Sequence, residues 1–350
     1  MKFTKINVNK LTKDFGKTVN SLVKEADKIK NDLIDDSTKV IGNVVNTASD
    51  AVTEGAKQIG KVAQDVADTT IVTYDKAKNE VIDAIDQNGN GEVDIEDVIV
   101  LGLKIPGIKI NRAVFLKAEL TRYYDQETIN IAIENNPLYA NIDPKIIDRI
   151  ANEVIEYERR CVSGISAVLG APGGLMMAAT IPTDIAQYYG YMLRATQKLL
   201  YLYEFPEIDV EEKQQLFDSE TINTLIVCMG VMYGVSQANS ALKAMAKALG
   251  TGVQKQLMKK ALTKGTIYPI VKSVSKWFGV KMTKEIFTGF FKKAIPVAGA
   301  VIGGGITYLS FKPCCDKLKQ TLEDTALSNK NHVSTKEEDI INAEILSETV

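Results

Sequence analysis

Residues Asp86–Asp97 read Asp-Gln-Asn-Gly-Asn-Gly-Glu-Val-Asp-Ile-Glu-Asp. Asp86, Asn88, Asn90 and Asp94 place side-chain oxygens at loop positions 1, 3, 5 and 9. Gly91 at position 6 permits a sharp turn, Glu92 at position 7 offers its backbone carbonyl, and Asp97 closes the set at position 12. A hard cation takes about six to eight oxygens, and this spacing wraps them round one point. The chemistry is calcium binding in an EF-hand-type loop, with apolar Val93 at position 8. The departure is Asp97, where Glu is usual. Asp is one methylene shorter, so bidentate capture is harder, and weaker calcium binding or more tolerance of magnesium is expected. The pattern DxNxNGxVDxxD is also that of a dockerin half-repeat, but the chain has no second loop to pair with it. The competing reading is an ion-free turn rich in Asp and Asn.

Helices must hold that loop. Residues 1–85 read as an amphipathic arm, uninterrupted by proline, with apolar residues every eleven positions. One row is Leu11, Leu22, Leu33, Val44, Gly55, Val66 and Ala77. Eleven residues in three turns keep one stripe on one side of a nearly straight helix. The stripe is sparse and weakly apolar, so packing on protein competes with lying on lipid. After the loop, Ile95–Leu103 reads as the outgoing helix. Residues 98–326 form the helical body, and Asn141 and Asp143 before Pro144 mark one helix start. Residues 327–350 read as an acidic, disordered tail.

Three stretches lack charge altogether: 161–183, 221–242 and 294–311. Their length suits membrane spans, but their Gly, Ala, Ser and Thr content and internal prolines favour buried helices or hairpins that touch a bilayer. The expected fold is therefore all-α: a helical bundle with Gly/Ala-rich apolar hairpins, preceded by the arm and one EF-hand-type loop.

Charge is segregated although the formal net is −2. The only acid between Lys243 and Lys293 is Glu285, against twelve lysines. Lys255, Lys259, Lys260, Lys264, Lys272, Lys276, Lys281, Lys284, Lys292 and Lys293 are the candidate contacts to a polyanion, with Trp277, Phe278, Phe287, Phe290 and Phe291 interleaved. Anionic lipid fits this block better than nucleic acid, because the block holds no arginine. A solvated helix face is the plainer alternative. Cys161, Cys228, Cys314 and Cys315 have no zinc spacing and read as reduced thiols. The opening MKFTKINVNK has no apolar core, so no secretory signal is expected.

Pro182-Thr183-Asp184 reads as a helix start. Beyond it Asp184, Gln187, Tyr191, Arg194 and Lys198 fall on one face at three- and four-residue steps. Such a polar stripe is more often a buried hydrogen-bonded network or a solvated face than a ligand site. GAPGGLMMAATIPTDIAQYYGYMLRATQKLLYLYEFPEI resembles the core motif of the bacterial EcsC family. LTKGTIYPIVKSVSKWFGVKMTKEIFTGFFKKAIPVAGAVIGGGITYLSFKP resembles its C-terminal block. The resemblance spans about residues 130–325 and leaves out the arm and the loop. It implies a helical protein, cytoplasmic and peripheral at the inner face of the cell membrane, in some cases beside a transporter. It carries Pro182, Asp184, Arg194, Gln197, Lys198, Pro269, Lys272, Pro296 and Gly299 as family positions. Where the family shows Gly after the YLY run, this chain has Glu204.

No phosphate-binding glycine loop, metalloprotease helix or nucleophile elbow occurs, and the single histidine, His332, rules out most His-based triads. The expected function is a non-enzymatic regulator or scaffold of a membrane process, modulated by calcium, with anionic lipid and a membrane protein or transporter as partners. The alternative is an effector, a toxin or defence protein, that inserts into bilayers.

Overall fold

The chain's glycines and buried Ile/Leu/Val positions decide how its helices cross. A computed structural model describes residues 83, 85–170, 176–208, 219–235, 237–253, 255–279 and 298–347. The arm at 1–82 lies outside the described residues, as do Lys281, Lys284, Lys292 and Lys293, the three phenylalanines beyond 279, and the side chains of Asp184 and Lys255. The described residues form eleven helices and no strand, an all-α bundle as the apolar periodicity implies.

In chain order they are α1 (Ile95–Lys104), α2 (Arg112–Leu120), α3 (Gln126–Glu134), α4 (Pro144–Gly170), α5 (Met176–Leu202), α6 (Glu220–Tyr233), α7 (Ala238–Gly250), α8 (Lys255–Thr263), α9 (268–279), α10 (Ala298–Glu323) and α11 (Lys336–Ser347). Helix α4 lies along α10 and α5, and α10 also packs on α6. Arg159 of α4 stacks on Tyr308 of α10, its guanidinium carbon 3.9 Å from the ring centre, and donates to the Tyr308 hydroxyl at 2.7 Å. Every residue of α6 from Leu225 to Met232 is buried. The second charge-free run is thus the core of the bundle. At Gly230 three helices meet: a Cβ there would lie 2.8 Å from Val274 of α9 and 2.9 Å from Ala238 of α7. No helix among the described residues is long and apolar enough to cross a membrane.

Three features depart from the sequence reading. Helix α5 starts at Met176, so Pro182 lies within it rather than ahead of it. The apolar run continues the helix past the capping signal. Trp277 and Phe278 turn inward: Phe278 is buried, 4.9 Å from the Tyr233 ring, and half-buried Trp277 is 5.8 Å from it. They pack α9 on α6 instead of forming an outer belt. The tail also corrects expectation. Instead of disorder over 327–350, α11 forms and packs on α7 and α8, burying Ile341 and Ile345. Its acids have specific partners: Asp339 meets Lys247 at 2.7 Å and Glu337 accepts from Ser240 at 2.8 Å. His332 is 3% exposed in its side chain, with its ring nitrogens 3.1 Å from Asp324 and 2.8 Å from Glu338. Acidic composition signals disorder only where no apolar residue pays for order, and here two isoleucines do.

Candidate functional site

The loop is wound by its own side chains. Gly89 and Gly91 take φ +73° and +80°, a left-handed path open to glycine at little cost. The Asp86 carboxylate accepts backbone N–H bonds from Gly89 and Gly91, each at 2.7 Å, and longer ones from Asn88 and Asn90. Chiefly the Gly91 bond lowers its pKa below the ordinary carboxylate value. Asn88 accepts from the Asn90 amide at 2.9 Å, and Asn90 from the Glu92 amide at 2.7 Å. The side-chain amides of both lean on Asp94 Oδ2, at 3.4 and 3.5 Å. Asp94 and Asp97 then form a reciprocal cap at the start of α1.

Asp97 is fully buried. One oxygen accepts from Gln87 N–H at 2.9 Å and Asn88 N–H at 3.2 Å, and the other from Asp94 N–H at 3.0 Å. Burial raises its pKa to about 6 against these bonds. Donor chemistry and backbone path therefore suit a divalent cation. The carboxylates themselves are not grouped for one: among the described residues no three His, Cys, Asp or Glu side chains are placed to hold a metal. Asp97 faces amides, so capturing an ion would exchange those bonds for the ion.

The loop is fixed to the body on two sides. Glu96, buried, accepts from Ser275 of α9 at 2.8 Å. Burial first, then the Asp94 charge, raises its pKa to about 7. On the other side α1 crosses α5 at glycines: a Cβ on Gly102 would sit 3.1 Å from Leu193 and 3.4 Å from the Gly190 backbone. The chain leaving α1 is then held by α5 side chains. Arg194 donates to the Gly107 carbonyl at 2.6 Å. Gln197 donates to the Ile108 carbonyl and accepts from the Ile110 amide, both at 3.0 Å.

This face of α5 is the predicted polar stripe, and the structure supplies its partner. Glu158 of α4, fully buried, receives Lys198 Nζ at 2.6 Å and lies 3.2 Å from Arg194 Nε. Lys198 also stands 5.5 Å from the Tyr157 ring centre and 5.7 Å from that of Phe115. Two cations thus share one buried carboxylate. Cys161 sits beside them, and burial pushes its thiol pKa up. Tyr191 lies 5.6 Å from Arg194 and is raised to about 12, chiefly by burial. Gln187 is half-buried on the same helix, with no bond to this cluster. The sequence signal for Glu158 was present but unread: it stands among Ala151, Val154, Ile155 and Val162 on the buried face of α4, where a lone acid needs a buried partner. Burial raises the thiol and phenol pKa values here, and Glu158, Arg194 and Lys198 form a buried ion network.

Of the basic candidates, Lys259, Lys260, Lys264, Lys272 and Lys276 are all exposed. Lys272 is 3.9 Å from Glu96 and 5.2 Å from the Tyr268 ring centre. Compared with protein-family models, with curated proteins and with solved structures, the chain matches none.

Proposed function

We propose that this chain is a non-enzymatic, EcsC-like helical protein that binds a divalent cation, calcium foremost, at Asp86–Asp97 and works peripherally on anionic lipid at the inner face of a cell membrane. There it would regulate or scaffold a membrane protein or transporter. One observation carries the reading: the loop follows a left-handed path at Gly89 and Gly91 and runs straight into a buried helix seated on α5. Asp86, Asn88, Asn90, Asp94 and Asp97 with the Glu92 carbonyl would hold the cation, which supplies charge and no chemistry. The exposed lysines of α8 and α9 support lipid as the partner, each near an anionic surface contributing about 1 kcal/mol.

The test is flotation of the full chain with anionic and neutral liposomes, in calcium and in chelator, alongside calorimetric titration with calcium. Calcium uptake, and flotation with anionic lipid that is lost in high salt, is the expected pair of results. Absence of both would overturn the reading. Flotation that survives high salt, with dye leakage from the vesicles, would replace it with bilayer insertion.

A further inference from the structure

Away from the loop and the Glu158 network, a cavity of about 460 Å³ opens between the end of α6, the start of α7 and the C-terminal part of α10. Its size suits a small ligand rather than a single water. Gly234, Asn239, Lys243, Lys317, Gln320 and Thr321 line it, with Thr335 from the C-terminal segment closing one side. Both charged lining residues are lysines, and no carboxylate lines it.

The nearby charges are accounted for one by one. Lys243 pairs with Asp324 at 2.5 Å, outside the lining. Asp339 is held by Lys247, Glu338 by His332, and Glu337 by the hydroxyl of Ser240, itself a lining residue. Among the described residues nothing pairs with the Lys317 ammonium. It lies over the backbone of Gly234, where a Cβ would come within 3.5 Å of Nζ. The Asn239 side-chain oxygen accepts from Thr321 at 3.2 Å, which leaves its NH₂ as a donor. Helix α7 starts on this wall without a side-chain cap or an acid in its first turn, so its dipole adds to the lysines.

We propose that this cavity binds a phosphate group carried by a small molecule or a lipid head group. Lys317 is the counter-charge, and Asn239 and Gln320 are neutral donors. The site does not depend on the membrane reading, because the phosphate is recognised before its carrier. Glu337 at the rim opposes the ligand, which gives the site a signature of opposite signs. Lys317→Gln weakens binding about tenfold, the loss of one charge-assisted contact. Glu337→Gln, which still accepts from Ser240, tightens it about twofold.

The experiment titrates the full chain with inorganic phosphate and glycerol 3-phosphate by calorimetry. In parallel it measures binding to phosphatidylcholine vesicles with and without phosphatidylglycerol. Lys145→Gln, an exposed lysine outside both the cavity and the basic block, is the control. Saturable binding in either arm that responds to Lys317 and not to Lys145 supports the site. The soluble arm alone assigns a small phosphorylated ligand, and the vesicle arm alone a head group. Equal losses for both lysine variants, or no binding in any arm, overturns it. Soluble phosphate binding without flotation removes the membrane reading and leaves this site standing.

Discussion

Glu204 is a glutamate in a glycine's conformation, and that can be measured. It follows α5 at φ +77°. The Phe205 amide returns to the Leu200 carbonyl at 2.9 Å, closing the helix as Val235 does on Gly230 at 2.8 Å. At the matching left-handed position α6 uses Gly234, at φ +72°. A side chain in that region costs about 1–2 kcal/mol. Glu204 is held by the Leu138 N–H at 2.9 Å, while its second oxygen is buried without a partner. Burial raises its pKa from the ordinary 4.5 to about 8. Between those values the folded chain keeps a proton that the unfolded chain has released, so stability falls as pH rises through this window and levels off above it. The full displacement is a ceiling of roughly 5 kcal/mol. Relaxation of the chain and water penetration on ionisation offset most of that penalty, so about 1–2 kcal/mol is expected in practice. Glu204→Gln keeps the acceptor and loses the titration. Its melting temperature should match that of the parent near pH 5 and exceed it by about 1.5–3 °C near pH 9. Glu204→Gly should gain the strain energy and lose a hydrogen bond of about 1 kcal/mol, ending near neutral in acid and stabilised in base. Thermal denaturation across that range decides it. Parallel curves for parent and Glu204→Gln would refute a buried, protonated carboxyl.

Other changes read other parts of the molecule. Calcium affinity should fall as pH drops through about 6, because Asp97 must lose its proton to meet a cation; calorimetry at a series of pH values would show no trend if Asp97 is not a ligand. Glu158→Gln leaves Lys198 and Arg194 sharing a neutral group and should cost about 3–5 kcal/mol in chemical denaturation. Gly230→Ala places a methyl 2.8 Å from Val274 and should cost about 1–3 kcal/mol by overpacking. Ile345→Ala should remove amide-exchange protection from α11 while α4 and α6 keep theirs, since Ile345 is fully buried in the tail's contact with the body.

The bundle was legible in the sequence because its evidence is periodic and local. The pattern around Ile146, Ile150 and Val154 announces α4, and charge-free 221–242 announces a core helix. Arg194 and Lys198 were legible as a stripe because spacing alone puts them on one face. What they face was not, since Glu158 lies 36 residues before Arg194, and only the packing of α4 on α5 joins them. The tail failed for a different reason. Five acids against two lysines set the composition of 327–350, but Ile341 and Ile345 at helical spacing, with lysines waiting on α7, outweigh composition. Glu204 was marked by comparison with a family glycine, and the left-handed backbone gives that departure a physical meaning.

The two legible motifs prove to be one connected structure. The loop ends in α1, and α1 rests on α5 where Gly102 lies against the Leu193 side chain and the Gly190 backbone. A shift of α1 at that crossing meets Leu193 and the Gly190 backbone, and it also reaches the segment 105–110, whose carbonyls and amides are held by Arg194 and Gln197. Arg194 is also drawn to Glu158, so its grip on Gly107 and its ion pair share one guanidinium. On the far side Glu96 ties the same helix start to Ser275, one residue from exposed Lys276. A cation that pulled Asp97 from the Gln87, Asn88 and Asp94 amides would strain both ties. Only the loop's last residues, from Val93 on, are thus tied to the body beside exposed Lys272 and Lys276, while 88–92 face solvent.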